Sequence, residues 1–180
     1  MSKSEQVLIS IVSPDKLGLI AEVTGELYGL GVNLGDVSFA VLGAGCEFSA
    51  MAELPTGVGL AEIEAALRRL PTLQNVDLRV TPLPFSAEHR DTAEITHFIE
   101  VVGGDRPGLI ALLSQVFGEF EANIVRLNSR RNLEVEAGQR GKYLTVFAVS
   151  MPPGRAEACL SAVHNMAGQL NLTCSYRTAG

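Results

Sequence analysis

Asp15-Lys16-Leu17-Gly18-Leu19-Ile20 and Asp105-Arg106-Pro107-Gly108-Leu109-Ile110 decide how this sequence folds, because they lie 90 positions apart and share Asp, Gly, Leu and Ile in register. Asn33 falls on Asn123 at the same offset. Around them Lys16 meets Arg106, Val23 meets Leu113, Leu27 meets Phe117 and Leu30 meets Phe120, so charge and apolar character persist where identity does not. A match that joins a turn, a helical stripe and a strand start in one register marks a duplicated unit.

Working outward, each stretch is preceded by a run rich in β-branched residues, Val7 to Val12 and Ile95 to Val102. Each run ends in turn chemistry, Ser13-Pro14-Asp15 or Gly103-Gly104-Asp105, so both read as strands. From Leu17 and from Pro107 the apolar spacing changes to 3, 4, 3, through Ile20, Val23, Leu27, Leu30 and through Ile110, Leu113, Phe117, Phe120. That is one apolar helix face packed on a sheet. Pro107 fits a first helical turn, where a missing N–H costs little. Gly31 can cap the first helix in the left-handed region; the second unit has no glycine there, which makes the cap expendable.

Downstream, Asn33 to Leu42 and Glu47 to Leu54 form a hairpin through Gly43-Ala44-Gly45, and Asn123 to Leu133 and Lys142 to Met151 form one through Ala137-Gly138. A second helix follows in each unit, with Leu60, Ile63, Leu67, Leu70 and with Leu160, Val163, Ala167, Leu170 at the same spacing. A last strand closes each, Asn75 to Pro82 and Asn171 to Tyr176. The order is βαββαβ twice, an α+β class of two tandem ferredoxin-like domains, antiparallel sheets with both helices on one face. Residues 1–83 form the first domain, 84–93 a linker of Pro, Ser and charged residues, and 94–180 the second. A unit of this size buries about 60 to 65% of its unfolded surface and leaves a sheet face bare, which invites pairing, most simply as a homodimer.

Composition narrows the function. The formal charge is -6 and the 14 basic residues are scattered, so no positive field is built to hold a phosphate backbone and direct nucleic-acid binding is not expected. Cys46, Cys159 and Cys174 share no disulfide, redox or metal spacing. No signal-like segment opens the chain and no run approaches a membrane span, so a cytosolic protein without a membrane role is expected.

With these stretches placed between strand and helix, and with an asparagine opening the next strand, the sequence resembles the ACT family over nearly its whole length, as two tandem domains. In order and length it is similar to the glycine cleavage system transcriptional repressor family. The resemblance implies a regulatory protein that binds a small amino acid, glycine being the first candidate. It also implies action through a protein partner, such as a transcription activator or a metabolic enzyme, without touching DNA. It implies no cofactor, no metal and no catalytic residue. The alternative is a ligand-free module for interaction and assembly.

The chemistry of the turn is compatible with an amino acid. Backbone N–H groups around Leu17, Gly18, Leu19 and Ile20, and around Pro107, Gly108, Leu109 and Ile110, sit where a helix dipole favours a carboxylate, although Pro107 has no N–H to give. Asp15, Lys16, Asp105 and Arg106 flank the turns, and the carboxamides of Asn33 and Asn123 offer both donor and acceptor. The same residues have an ordinary reading: Asp15 and Asp105 as helix caps, the glycines as turn formers, the asparagines as strand starts.

Other features point away from catalysis. His89, His97 and His164 have no partner at ligand spacing, and Cys159 and His164 at i and i+5 do not share a helix face. Gly43-Ala44-Gly45 and Gly103-Gly104 lack the Gly-Lys-Ser/Thr of a phosphate loop. The run Arg126, Arg130, Arg131, Glu134, Glu136, Arg140 and Lys142 gives the second hairpin a charged surface, solvated or available to a protein partner. That hairpin is also about seven residues longer than the first, so the two turns are expected to differ as sites.

Overall fold

The computed structural model describes residues 5–104, 107–132 and 142–180. The chain divides into two compact units, Met1–Glu88 and His89–Gly180. Unit 1 runs β1 Glu5–Pro14, α1 Leu19–Gly29, β2 Asn33–Leu42, β3 Gly45–Leu54, α2 Leu60–Arg68 and β4 Asp77–Pro82, with a 3-10 turn at Pro71–Leu73. Unit 2 repeats this as β5 His97–Gly104, α3 Leu109–Glu119, β6 Asn123–Asn132, β7 Lys142–Ser150, α4 Ala156–Gln169 and β8 Thr173–Thr178. The sheet orders are β2-β3-β1-β4 and β6-β7-β5-β8, antiparallel throughout. This is the βαββαβ ferredoxin-like fold twice.

Strand alternation explains the layering. In β1, Val7, Ile9 and Ile11 are buried while Leu8, Ser10 and Val12 face the other way. The buried set joins Leu19, Val23 and Leu27 of α1 and Ile63 and Leu67 of α2 in one core. Unit 2 does the same with Ile99 and Val101 against Leu109, Leu113, Phe117 and Val163. Each fully buried Leu, Ile or Phe contributes about 1.5–3 kcal/mol, so the helix stripes hold both helices to one face of each sheet and leave the opposite face open.

Several boundaries differ from the sequence reading for physical reasons. Helix α1 begins at Leu19 and α3 at Leu109, two residues later than expected, because Gly18 and Gly108 are left-handed (φ 86° and 82°) and act as the N-caps. Pro107 therefore stands before the cap and not in the first turn. The seated stripe starts one residue earlier than expected: Leu19 and Leu109 are fully buried, Ile20 and Ile110 half-buried. Gly103 and Gly104 are strand residues paired with Tyr143 and Lys142. Leu133 and the turn at Ala137-Gly138 lie outside the described residues, as do Glu134, Glu136 and Arg140.

The cap is not expendable either. After α1, Gly31 (φ 73°) and Val32 donate to Tyr28 O and Leu27 O at 2.9 and 3.0 Å. After α3, Glu121 takes the same left-handed place (φ 58°), and Glu121 N and Ala122 N donate to Gly118 O and Phe117 O. Asn171 (φ 56°) repeats the closure after α4. The conformation is kept and only glycine is dispensable.

Candidate functional site

Gly18 organises the turn between β1 and α1. Asp15 N donates to Ala44 O at 3.0 Å, which extends the sheet past Pro14. The chain then turns through Lys16 and Leu17, and Leu19 N reaches back to Lys16 O at 3.3 Å. No side chain caps the helix, so Asp15 does not have the capping role that its position allowed. The first regular helical bond is Glu22 N to Gly18 O, 3.0 Å, and the N–H groups of Ile20 and Ala21 have no backbone acceptor among the described residues. A Cβ on Gly18 would meet nothing within 4 Å. The result is open space before a helix N-terminus with unspent donors, which suits an anionic group such as a carboxylate.

Leu17 is fully exposed beside it. Lys16, exposed, donates from Nζ to Thr72 O at 2.9 Å, and Thr72 Oγ1 donates to Glu22 Oε2 at 2.7 Å. The turn of unit 1 is thus tied through Thr72 to the first turn of its own helix. Thr72 and Glu22 have no signal in the sequence, because their roles depend on a contact across 50 residues.

Unit 2 reproduces the backbone of this turn. Gly108 is the left-handed N-cap, again without a side-chain cap, and Leu112 N donates to Gly108 O at 2.9 Å. Space is open at Gly108 too. Pro107 is exposed, and Asp105 and Arg106 lie outside the described residues. Leu112 stands where unit 1 has Glu22.

Asn33 and Asn123 open β2 and β6, as expected. Within a unit, however, neither comes near its turn. Asn33 pairs with Glu53 and Glu53 with Gln6, so Asn33 lies at the start of β1 while the turn lies at its end, about 30 Å away at 3.3 Å per residue. Asn123 pairs with Ser150 at the matching end of its own sheet. A ligand held by turn and asparagine together needs two copies of the fold.

The remaining reactive groups lie apart from the two turns. His97 and His164 line one open groove of about 800 Å³ in unit 2, with Glu157 and Ser161. His97 Nδ1 lies 2.9 Å from Thr96 Oγ1; among the described residues no hydrogen bond joins His164, Ser161 and Glu157. No group of His, Cys, Asp or Glu among the described residues is placed to hold a metal ion. Burial pushes the Cys159 thiol up to about 11 and raises that of Cys174, which removes thiolate character at neutral pH. No helix among the described residues is long and apolar enough to cross a membrane.

Residues 5–81 match the ACT domain family. No curated protein matches the chain in sequence. Among solved structures, a protein of unknown function from Galdieria sulphuraria is 17% identical, with a TM-score of 0.77 over 99% of this chain and 100% of that one. A protein put forward as a glycine cleavage system transcriptional repressor is 14% identical, with a TM-score of 0.67 over 98% of each chain. At these identities the likeness is one of fold, and it extends through both units.

Proposed function

We propose that this chain, an ACT domain over residues 5–81 followed by a second unit of the same fold, is a cytosolic regulatory protein that binds a small amino acid and modulates a protein partner. Glycine is the first ligand to test and control of amino-acid metabolism at the level of transcription the first output, by analogy with the repressor-like structure. The observation that carries the reading is the turn built twice: a left-handed glycine cap, no side-chain cap and open space before a helix N-terminus. A carboxylate fits there at little cost, since the donors are already unpaired. Asp15, Lys16, Leu17, Leu19 and Ile20 would frame the ligand in unit 1, and Asp105, Arg106, Pro107, Leu109 and Ile110 in unit 2. Asn33 or Asn123 would reach it from another copy of the fold, and the working form in this reading is a homodimer. Regulation follows only if ligand affinity differs between two arrangements of the protein.

One observation favours the ligand-free interaction module instead: each turn is open and one of the three polar side chains proposed for each site, the asparagine, stands at the far end of its sheet. A thermal-shift screen of the common amino acids separates the readings. A selective rise in melting temperature is expected, lost in Gly18→Asn, Gly108→Asn. Asparagine tolerates the left-handed region and its carboxamide would occupy the donors. No shift with any amino acid would sink the sensor and leave the module.

A further inference from the structure

The open sheet faces of the two units differ in charge, that of unit 2 presenting mainly arginines and that of unit 1 mainly acids, at different register positions. In unit 2, strand pairing sets Arg126 beside Ala148 and Phe98, and Arg130 beside Leu144 and Val102, all on the face without helices. All of them but Val102 border a groove of about 350 Å³. Neither arginine has an ion-pair partner among the described residues. On the far side Arg177 lies over the Phe98 ring, 4.0 Å from its centre. Between these guanidinium rims lie apolar side chains and one carboxylate, Glu100, in the middle row with Asn128, Val146 and Ser175.

In unit 1 the row equivalent to Arg130, Leu144, Val102 and Thr173 is Ala40, Glu47, Val12 and Asp77. Here acids flank an exposed valine, and Asp77 is also ion-paired at 3.1 Å with Arg79 of the same strand. Leu8 and Met51 pair further along the same face, beyond a polar row of Ser49, Ser10 and Arg79. By sequence, unit 1 has eleven acidic residues to five basic, while unit 2 has nine of each. The two surfaces therefore share a shape, since they come from one fold, and differ in charge, unit 1 being acidic overall and unit 2 balanced with its arginines gathered on the open face.

We infer that the open face of unit 2 is a docking surface for the open face of unit 1 in a second copy of this chain. A two-fold pair makes this contact twice. Each face, four strands wide and six residues long, projects about 19 by 20 Å. Two faces then offer about 750 Å² per chain, close to the roughly 800 Å² per partner of a stable interface. Apolar rows on either side of each polar middle row meet, and Arg126 and Arg130 face the acidic residues of unit 1, which gives the pairing its register and its salt dependence. The inference deepens the homodimer part of the proposed function alone; the ligand screen is read separately, so either can fail without the other.

Sedimentation of the full chain tests it. Wild type is expected to dimerise, more weakly at high salt. Arg126→Glu, Arg130→Glu places acid against acid, and Glu47→Lys, Asp77→Lys base against base, so each variant alone is expected to dissociate about tenfold or more readily. Mixed, they restore both contacts and form heterodimers, an outcome that only pairing between chains can give. A monomeric wild type, variants that dimerise like wild type, or folded variants that fail to pair on mixing would each overturn the proposal. Should a reversal misfold, Arg126→Gln, Arg130→Gln is expected to weaken the dimer severalfold, and an unchanged constant would overturn the proposal as well.

Discussion

Unit 1 sets Phe39 against Phe48 across β2 and β3; at the same register point unit 2 sets Ser129 against Thr145, with the two hydroxyls 2.7 Å apart. The lost aromatic volume reappears elsewhere. Phe147 pairs with Ile99 where Ala50 pairs with Ile9, and Phe117 replaces Leu27, so that two rings meet at 5.2 Å between α3 and β7. Phe48, Phe117 and Phe147 are all fully buried. One backbone thus accepts two distributions of bulk, provided each fills its own interior and a buried hydroxyl such as Thr145 finds a partner.

The sharpest way to break that comparison is to remove bulk from one unit only. Phe147→Ala puts the unit 1 residue into unit 2 without the phenylalanine that accompanies it there, and is expected to cost about 3–5 kcal/mol. Adding Thr145→Phe should recover only part, because Ser129 and not an aromatic lies opposite. Urea unfolding with hydrogen exchange read at β5 and β7 measures it. A loss below about 1 kcal/mol would mean that the two interiors are interchangeable.

A second difference is chemical. Cys159 is buried under α4, and its thiol, raised to about 11 in the fold, ionises near 8.5 when unfolded. Because the folded state favours the neutral form, this contribution is fully present below about pH 8.5 and is lost as pH rises through about 11. It amounts to about 3 kcal/mol at most. Unit 2 is therefore expected to weaken steeply over that window, and Cys159→Ala to flatten the profile. An unchanged slope would show that the thiol is not the cause.

A size exchange at the sheet end gives a smaller effect. Gly103 and Leu172 of unit 2 correspond to Ser13 and Val76 of unit 1. A Cβ on Gly103 would run into the Leu172 side chain and come within 3.3 Å of its Cα. Gly103→Ser should cost about 2 kcal/mol by overpacking, and Leu172→Val should restore more than half in the double variant. Additive losses would show that the two positions are independent.

Much of this was legible in advance, and the misses have a common origin. The element order, the helix faces and the starts of β2 and β6 follow from apolar spacing, a local property repeated twice and so read twice. Missed were Thr72 and Glu22, the Ser129–Thr145 bond and the distance from Asn33 to its turn, because each depends on which strand lies beside which. The asparagine and the turn look adjacent in sequence logic; antiparallel order sends them to opposite ends. The helix starts were misplaced because a left-handed glycine can cap a helix without offering a side chain, which periodicity does not register.

The smallest effect tests the caps. Gly31 and Glu121 hold the same left-handed conformation and the same pair of hydrogen bonds, but only the glycine escapes the clash between Cβ and backbone, worth about 1–2 kcal/mol. Glu121 also meets Arg155 at 3.3 Å. Both side chains are largely exposed, and such a pair contributes at most about 1 kcal/mol. Glycine loses more chain entropy on folding, which offsets part of the relief. Glu121→Gly is therefore expected to stabilise unit 2 by about 0.5–1 kcal/mol, and Gly31→Ala to destabilise unit 1 by about 1 kcal/mol, read as opposite shifts of the urea midpoint. Arg155→Ala isolates the ion pair. If Glu121→Gly loses stability while Arg155→Ala does not, the glutamate is held by something other than its salt bridge, and backbone strain does not separate the two caps.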